Sequence, residues 1–568
     1  MPILPRTNLR DLARNAHEFA RSFPSFAARL AQPVADPATE RLAEGVAYLA
    51  GTVLDSVEDH LTAAHTNLAE RASPWLRRPL PGATVVAFEE GEASIPASTL
   101  LTSALTSGVT CTFRPTRSVP LVACRVRQAS LEARPGRPPV LLVELASTSD
   151  VPLNDVIGRG VSLFFGGELE NALTLVHALT AHLDTVHATS SDWPEPVPLE
   201  HGHVTRGGFR PNETIAPDPD GPPSAFGIVT EALVSPDRFR FVEVVGLDAC
   251  TRRKSTAAIT LVFALSEALP PRTYLGRDDV QTNCATVTNI FEASAEPMAL
   301  DFEERPRPLR VAGLPHHAGS VYAVVDAWAT ALNGAHGPVR LPDLRRLGAA
   351  KLVGASPAAF AASAVEGPDG VPLSTMAFAP MGPNDAASTP RVVTTTVLAT
   401  NGAAGGSLRV GDLAGHVEID GRLIRFRNIV ASSPYIPPPS GNSFALRAVR
   451  HASIPLGRAR LADALRDTLH LAIPSRAESA AAMWARVEGI RAFEIGTARR
   501  LTADRAVRHG YAYRLTVDES GYQGPGDMGL FGAAIGEALA RSAPVNTFAE
   551  LTVVGLKTGS MARYRGLS

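Results

Sequence analysis

The sequence predicts an α+β, multidomain fold: N-terminal amphipathic helices, then antiparallel β-rich domains, then a C-terminal α/β segment. Three observations lead there. Within the first 80 residues apolar side chains recur at spacings of three and four, the helical period, whereas from Ala83 short apolar runs alternate with turn residues. Near the C-terminus a strand pattern, a glycine-rich turn and a helix pattern follow one another. At 568 residues the chain is too long for one hydrophobic core, so roughly three or four domains are expected. Composition shifts divide it into a helical region over 1–80, a β-rich region over 81–200, an α+β region over 201–333, an Ala/Gly/Pro-rich and weakly patterned region over 334–406, and a C-terminal α+β region over 407–568.

Leu9, Leu12, Ala16, Phe19 and Phe23 line one side of a first helix, Pro24 interrupts it, and Phe26 to Leu30 resumes it. Asp36 then caps a longer helix whose first turn takes Pro37, where a missing N–H costs nothing, with Glu40 near the positive end of the dipole. Leu42, Val46, Leu49, Val53, Val57 and Leu61 fall on one stripe of this helix, opposite Glu44, Thr52, Asp55 and Glu58. A short helix follows to Arg71, and Pro74, Pro79 and Pro81 end it. Such a stripe serves either the chain's own core or a bundle shared with another chain.

Strand patterns occupy Thr110 to Phe113, Val119 to Val126 and Pro139 to Leu145, as in a sandwich or an open antiparallel sheet. Leu163 to Leu183 reads as a strand feeding a helix. Prolines, glycines and aspartates make Trp193 to Pro223 a long loop or boundary. In Phe226 to Leu247 a helix through Glu231 and Leu233 stops before Pro236. The strand after it sets Phe239 and Phe241 on one face and Arg240, Val242 and Val244 on the other. Glu243 falls on the phenylalanine face, which predicts that this face reaches solvent at its far end.

The 54 basic and 56 acidic residues leave a formal charge of -2, which gives no electrostatic footprint for nucleic acid or an anionic membrane. The N-terminal residues lack an apolar core of signal-peptide length, and the richest apolar run, Ala257 to Leu265, falls short of the ~20 residues of a membrane span. Cys111, Cys124, Cys250 and Cys284 are widely spaced with no C-x-x-C, which favours reduced thiols over a zinc site or disulfide framework. A cytoplasmic protein is expected, with no direct membrane insertion and no nucleic-acid partner.

Gly524-Pro525-Gly526-Asp527-Met528-Gly529 spells G-x-G-x-x-G between a strand pattern (Tyr511 to Val517) and a helix pattern (Leu530 to Ala540), the context of a dinucleotide turn. Three details speak against a phosphate site. Asp518 to Gln523 intervene, Pro525 removes an amide donor, and Glu550 begins the following strand instead of ending it. His177, His182 and His187 suggest a metal, but a spacing of five turns successive helical rings away from each other, so solvated or capping histidines are expected. His201, His203, His316 and His317 lie in loops without nearby cysteine. No H-E-x-x-H or G-x-S-x-G occurs, and the sequence assigns no catalytic, cofactor-binding or metal-binding residue.

In this order of elements the chain resembles the TssF (VasA/ImpG) family of type VI secretion baseplate subunits. The family's D-P-x-x-E-R-L-x-E-G-x-A-x-L helix is matched by Asp36, Pro37, Glu40, Arg41, Leu42, Glu44, Gly45, Ala47 and Leu49. Cys111, Phe113 and Arg114 resemble its C-x-F-R-T strand. Gly227, Glu231, Pro236, Phe239 and Phe241 follow its G-Y-R-L-L-x-E-Y-F-x-x-P-x-K-F-x-F segment, with a shorter spacing from glycine to glutamate. Thr288 to Phe291, Glu296-Pro297, Arg427-Asn428-Ile429 and Leu530-Phe531-Gly532 match further elements, whereas Phe444 stands where the family usually has tryptophan.

The resemblance implies a structural role. Two copies of such a protein would join one TssG in a wedge, through a shared helical bundle and a C-terminal three-way junction. TssK and TssE would bind around it, and six wedges would surround the VgrG hub beneath the growing tube and sheath, docked to the inner-membrane secretion complex. Leu42, Val46, Leu49, Val53, Val57 and Leu61 would then form a subunit interface. A wedge subunit of another contractile injection system or phage-tail-like particle is the nearer alternative, and a nucleotide-dependent enzyme using Gly524 to Gly529 the more distant one.

Overall fold

The computed structural model describes nine positions between 45 and 68 and most residues from 78 to 566, the longest gaps being 345–355, 382–390 and 439–460. Leu9 to Leu30, the Asp36-Pro37 cap, Leu42, Pro74, His201, His316-His317 and Phe444 to Gly457 lie outside the described residues. The chain forms two compact units, Met1–Pro74 with Ser440–Ser453, and Trp75–Pro439 with Ile454–Ser568. In the first unit Val46, Leu49, Val53, Val57 and Leu61 are all helical. The second unit is mainly antiparallel β-sheet, with helices α1 (Leu169–Ala181), α2 (Gly227–Val234), α3 (Leu461–Ala472), α4 (Ala480–Glu488) and α5 (Pro525–Ser542).

A six-stranded sheet is assembled from distant parts of the chain. Its order is Ala414–Ile419, Arg422–Asn428, Ala83–Phe88, Cys284–Thr288, Val109–Pro115, Leu101–Thr106. Ala83–Phe88 is covered on both faces: Val86 packs with Val287 and Phe426, Val85 with Phe164 and Phe241. Burial on both sides explains why ATVVAF reads as a continuous apolar run without alternation. Two asparagines tie its ends. Asn289 donates to the Thr112 and Asn401 oxygens, each at 2.8 Å, and accepts from Thr400 Oγ1 and the Asn401 amide. Asn428 accepts from the Gly411 and Leu413 amides and donates to the Arg409 and Val430 carbonyls.

The strands expected at Thr110 to Phe113 and Pro139 to Leu145 are present, whereas Val119 to Val126 is broken at Leu121–Ala123 into Val119–Pro120 and the start of Cys124–Arg134. Cys124–Arg134 and Arg137–Ser147 form one end of a five-stranded sheet completed by Ala258–Leu265, Leu183–Thr189 and Val197–Leu199. A four-stranded sheet of Val204–Arg206, Phe241–Val244, Val161–Phe165 and Val280–Gln281 shares its core with that sheet and with α1, through Leu163, Leu175, Leu179, Val242 and Leu261. Val161–Phe165 running into α1 matches the expected strand and helix. Trp193 to Pro223, expected as loop, contributes Val197–Leu199 and Val204–Arg206 to these sheets. Strands of three residues are too short to display alternation, and tertiary pairing decides them.

Phe226 to Leu247 departs from expectation in two respects. The helix ends at Val234 as predicted, but Pro236–Phe239 forms a 3-10 turn and the strand begins only at Phe241. All four residues of Phe241–Val244 are buried, Glu243 among them, so the phenylalanine face does not reach solvent. Between 291 and 399 two antiparallel sheets pack around Val321, Ala327, Phe360, Met376, Val393 and Val397. Their strands Ala358–Glu366, Pro372–Pro380 and Arg391–Thr400 fill much of the weakly patterned region. Alanine, serine and threonine are frequent in these strands and give little of the hydrophobic contrast that marks a strand in sequence.

The C-terminal sheet runs Ile490–Leu501, Val507–Val517, Phe548–Gly555, Met561–Arg565. Val507–Val517 and Phe548–Gly555 pair in parallel, and α5 is the crossover that a parallel pair requires. Close approach fixes α5 on both sides. A Cβ at Gly526 would lie 2.2 Å from the Thr174 amide nitrogen and one at Gly529 2.4 Å from His177 Nδ1, both on α1. On the sheet side Gly532 leaves no room beside the Tyr564 ring, and a Cβ at Gly536 would lie 3.0 Å from the Tyr564 Cβ. Replacing Gly529 by valine is therefore expected to cost about 1–3 kcal/mol by forcing α1 and α5 apart. A lower urea midpoint at unchanged slope would show it, and an unchanged midpoint would refute the packing role.

Candidate functional site

The predicted stripe lies in the first unit. Val46, Leu49, Val53, Val57 and Leu61 are 47, 65, 62, 48 and 50% exposed, and Leu68 extends the series at 52%. All nine described positions between 45 and 68 are exposed, Tyr48 at 68% among them. Burying such a side chain fully is worth about 1.5–3 kcal/mol.

Sequence reasoning missed a second feature, a lattice of buried charges in the second unit. Arg238, 1% exposed, donates to the Gly208 and Glu213 carbonyls at 2.8 and 2.7 Å, lies 3.0 Å from Glu231 and rests over the Phe239 ring. Burial pulls its pKa down and the Glu231 and Glu213 carboxylates oppose that. Arg117 bridges Glu213 and Glu243, each at 3.0 Å, and Arg210 closes on Glu243 from another side. Burial raises the Glu243 pKa, with Arg117 as the main opposing influence. Gly208 holds a positive φ of 92°, and a Cβ there would lie 2.7 Å from the Arg238 carbonyl. The space left among Arg117, Glu213, Arg238 and Glu243 is of the order of one water molecule. The sequence held one signal of this arrangement: Glu243 on a phenylalanine face, two residues beyond Phe241.

Elsewhere the predicted motifs do other work. Gly526 and Gly529 seat α5 on α1, so the space a pyrophosphate would need beside that turn is filled by Leu173, Thr174 and His177. Asp527, in the first turn of α5, is buried and paired with Arg486 at 2.8 Å. The histidine rings, expected to point apart, partly converge: those of His177 and His182 meet edge to face with centroids 4.9 Å apart. The helix ends at Ala181, so the rotation of an ideal helix no longer applies, and His182 is the C-cap residue. His187 lies on the strand Leu183–Thr189. Among the described residues no three His, Cys, Asp or Glu gather as metal ligands, and no helix is long and apolar enough to cross a membrane. All four cysteines are free and buried, and burial pushes the Cys124 thiol up to about 12.

His177 makes an acid-sensitive element of the α1–α5 seam. Burial first, then the Arg206 and His182 charges, lower its pKa from 6.5 to about 3. Between those values the unfolded chain binds a proton that the folded chain refuses, so this contribution to stability is complete above 6.5 and is lost as pH falls toward 3. His177→Gln is expected to flatten the acid limb of stability against pH, measured by urea unfolding at several pH values; an equally steep limb would exclude the residue. Glu231→Gln leaves the Arg238 guanidinium buried with only carbonyl acceptors. It should lower stability by about 3–5 kcal/mol, and a loss below about 1 kcal/mol would show that the pair is not a lock.

The chain was compared with known proteins. A sequence model of the family described as "Type VI secretion system, TssF" matches residues 6–565. The type VI secretion system component TssF1 of Pseudomonas aeruginosa is 27% identical over 281 residues, and the match covers 45% of either protein, so it spans about half the length of that relative. Among solved structures, a chain of the TssK-TssF-TssG baseplate subcomplex from a type VI secretion system superposes with a TM-score of 0.77 at 20% identity, over 93% of this chain and 98% of that one. A chain of a type VI secretion baseplate complex gives 0.57 at 18% identity, over 98% and 97%. At these identities the superpositions speak for the fold, and it is the sequence match over nearly the whole length that places the chain in the TssF family of the type VI secretion system.

Proposed function

We propose that the chain is a structural baseplate subunit of a type VI secretion system and associates through its N-terminal apolar stripe. The observation that carries this reading is the exposure of Val46, Leu49, Val53, Val57 and Leu61 on described helical positions. Family membership gives the stripe a setting, since both superposed structures are baseplate complexes and one contains TssK and TssG beside TssF.

In this reading two copies of the chain share a helical bundle with one TssG, and ridges of one stripe fill grooves of the next. TssK and TssE bind around the wedge, and six wedges surround the VgrG hub. The assembly sits in the cytoplasm against the inner-membrane secretion complex. The lattice around Arg238 has a mechanical part in this, holding the sheets in fixed register while helices outside them associate.

Co-expression with a TssG from the same source is expected to yield a complex whose mass corresponds to two copies of this chain and one TssG. Val46→Asp or Val53→Asp would bury a carboxylate in the bundle and should abolish the complex while leaving the melting temperature of the isolated chain unchanged. A stoichiometric complex retained by both variants would show that the stripe is not the interface.

A further inference from the structure

The C-terminal sheet has an unpaired outer side. Ile490–Leu501 is its first strand, and no described strand pairs with its free edge. The ladder it makes with Val507–Val517 also outruns the rest of the sheet. Phe548–Gly555 starts opposite Gly510, so Arg499 to Leu501 and Val507 to His509 continue beyond it as a two-stranded ribbon. Leu501 and Val507 are 66 and 56% exposed there. A long, exposed edge with apolar side chains is a template for pairing, and soluble proteins usually cover or charge it.

The two faces of this ribbon differ. Alternation continues the core face outward from the stacked Phe493–Tyr513 pair, rings 5.5 Å apart, through Ile495 and Tyr511 to the exposed Arg499 and His509 and then Leu501. The opposite face carries Arg500, Arg508, Arg514, Arg563 and Arg565 against Glu494 and Glu550. Arg500 and Arg565 already share Glu550, at 3.6 and 4.0 Å. Arg508, Arg514 and Arg563 have no ion pair among the described residues, and Arg508 and Arg514 are exposed. On this face the edge strand sets Glu494 directly opposite Arg514 and Arg500 opposite Arg508, while the small residues Ala492, Gly496 and Ala498 flank them diagonally and leave the arginine side chains a diagonal path to the free edge.

We propose that the free edge of Ile490–Leu501 accepts an extended, acidic segment of a partner protein as an added strand. Main-chain hydrogen bonds would supply the affinity, and Arg508 and Arg514 would select carboxylates on that segment. A second copy of this chain is a poor occupant, because it would set one arginine-rich face beside another. A free row of main-chain donors and acceptors is paired by a protein strand, which nucleic acid and lipid cannot supply. This surface lies in the second unit, and the case for it does not depend on the N-terminal stripe.

The test uses the full chain in the cell that makes it, with the photoreactive residue p-benzoylphenylalanine in place of the exposed Thr497. The expected result is an adduct with one protein, whose joined peptide carries a surplus of Asp and Glu. The charge reversals Arg508→Glu and Arg514→Glu, made together, should lower its yield by roughly tenfold. The melting temperature of the doubly reversed chain should match that of the parent. An adduct insensitive to the reversal, a peptide without acidic surplus, an adduct with nucleic acid, lipid or a second copy, or no adduct at all would each overturn the proposal.

Discussion

The second unit depends on guanidinium groups held away from water. Removing an ion such as Arg238 from solvent costs several kcal/mol, and the cost is met only when carboxylates and carbonyls surround it in fixed positions. Those positions come from one stretch of the chain folded back on itself: Gly208 and Glu213 on one connection, Glu231 on α2, and Phe239 in the turn before Phe241–Val244. Arg117 extends the same network through Glu213 and Glu243. A sheet shifted by one residue would turn Glu243 toward the wrong face and leave Arg117 and Arg210 short of an acceptor. The lattice therefore acts less as a source of stability than as a condition on which arrangement of the sheets is allowed.

Local elements were legible in the sequence where a period or a breaker marks them. The N-terminal stripe carries a helical period, Pro236 stops the helix through Glu231 and a glycine turn opens α5, although most residues of that helix and of α5 are buried. Pairing between distant strands was not legible. Nothing in ATVVAF announces that Ala83–Phe88 lies between Cys284–Thr288 and Arg422–Asn428, because burial on both faces erases alternation. The sandwich between 291 and 399 was hidden for another reason, since alanine and threonine supply little contrast.

The residues that carried the family resemblance show why short motifs survive when periodicity fails. Glu231 and Phe239 belong to the Arg238 lattice, and Asn289 and Asn428 are buried and satisfy several backbone groups each. Each of these positions requires a particular donor or acceptor geometry, whereas an apolar position tolerates any side chain of similar volume. G-x-G-x-x-G shows the converse hazard. Its glycines are needed for room, yet the neighbour they admit is the backbone of α1 and not a phosphate.

The four cysteines lead to a last consequence. Each side chain is enclosed in a core and forms no disulfide, and burial raises every one of the thiols above its ordinary ionisation range. Nucleophilic attack needs the thiolate and a path to it, and the native fold withholds both. The folded protein therefore presents a silent background to maleimides and mild oxidants, so a single cysteine introduced at the surface would report on its own surroundings alone.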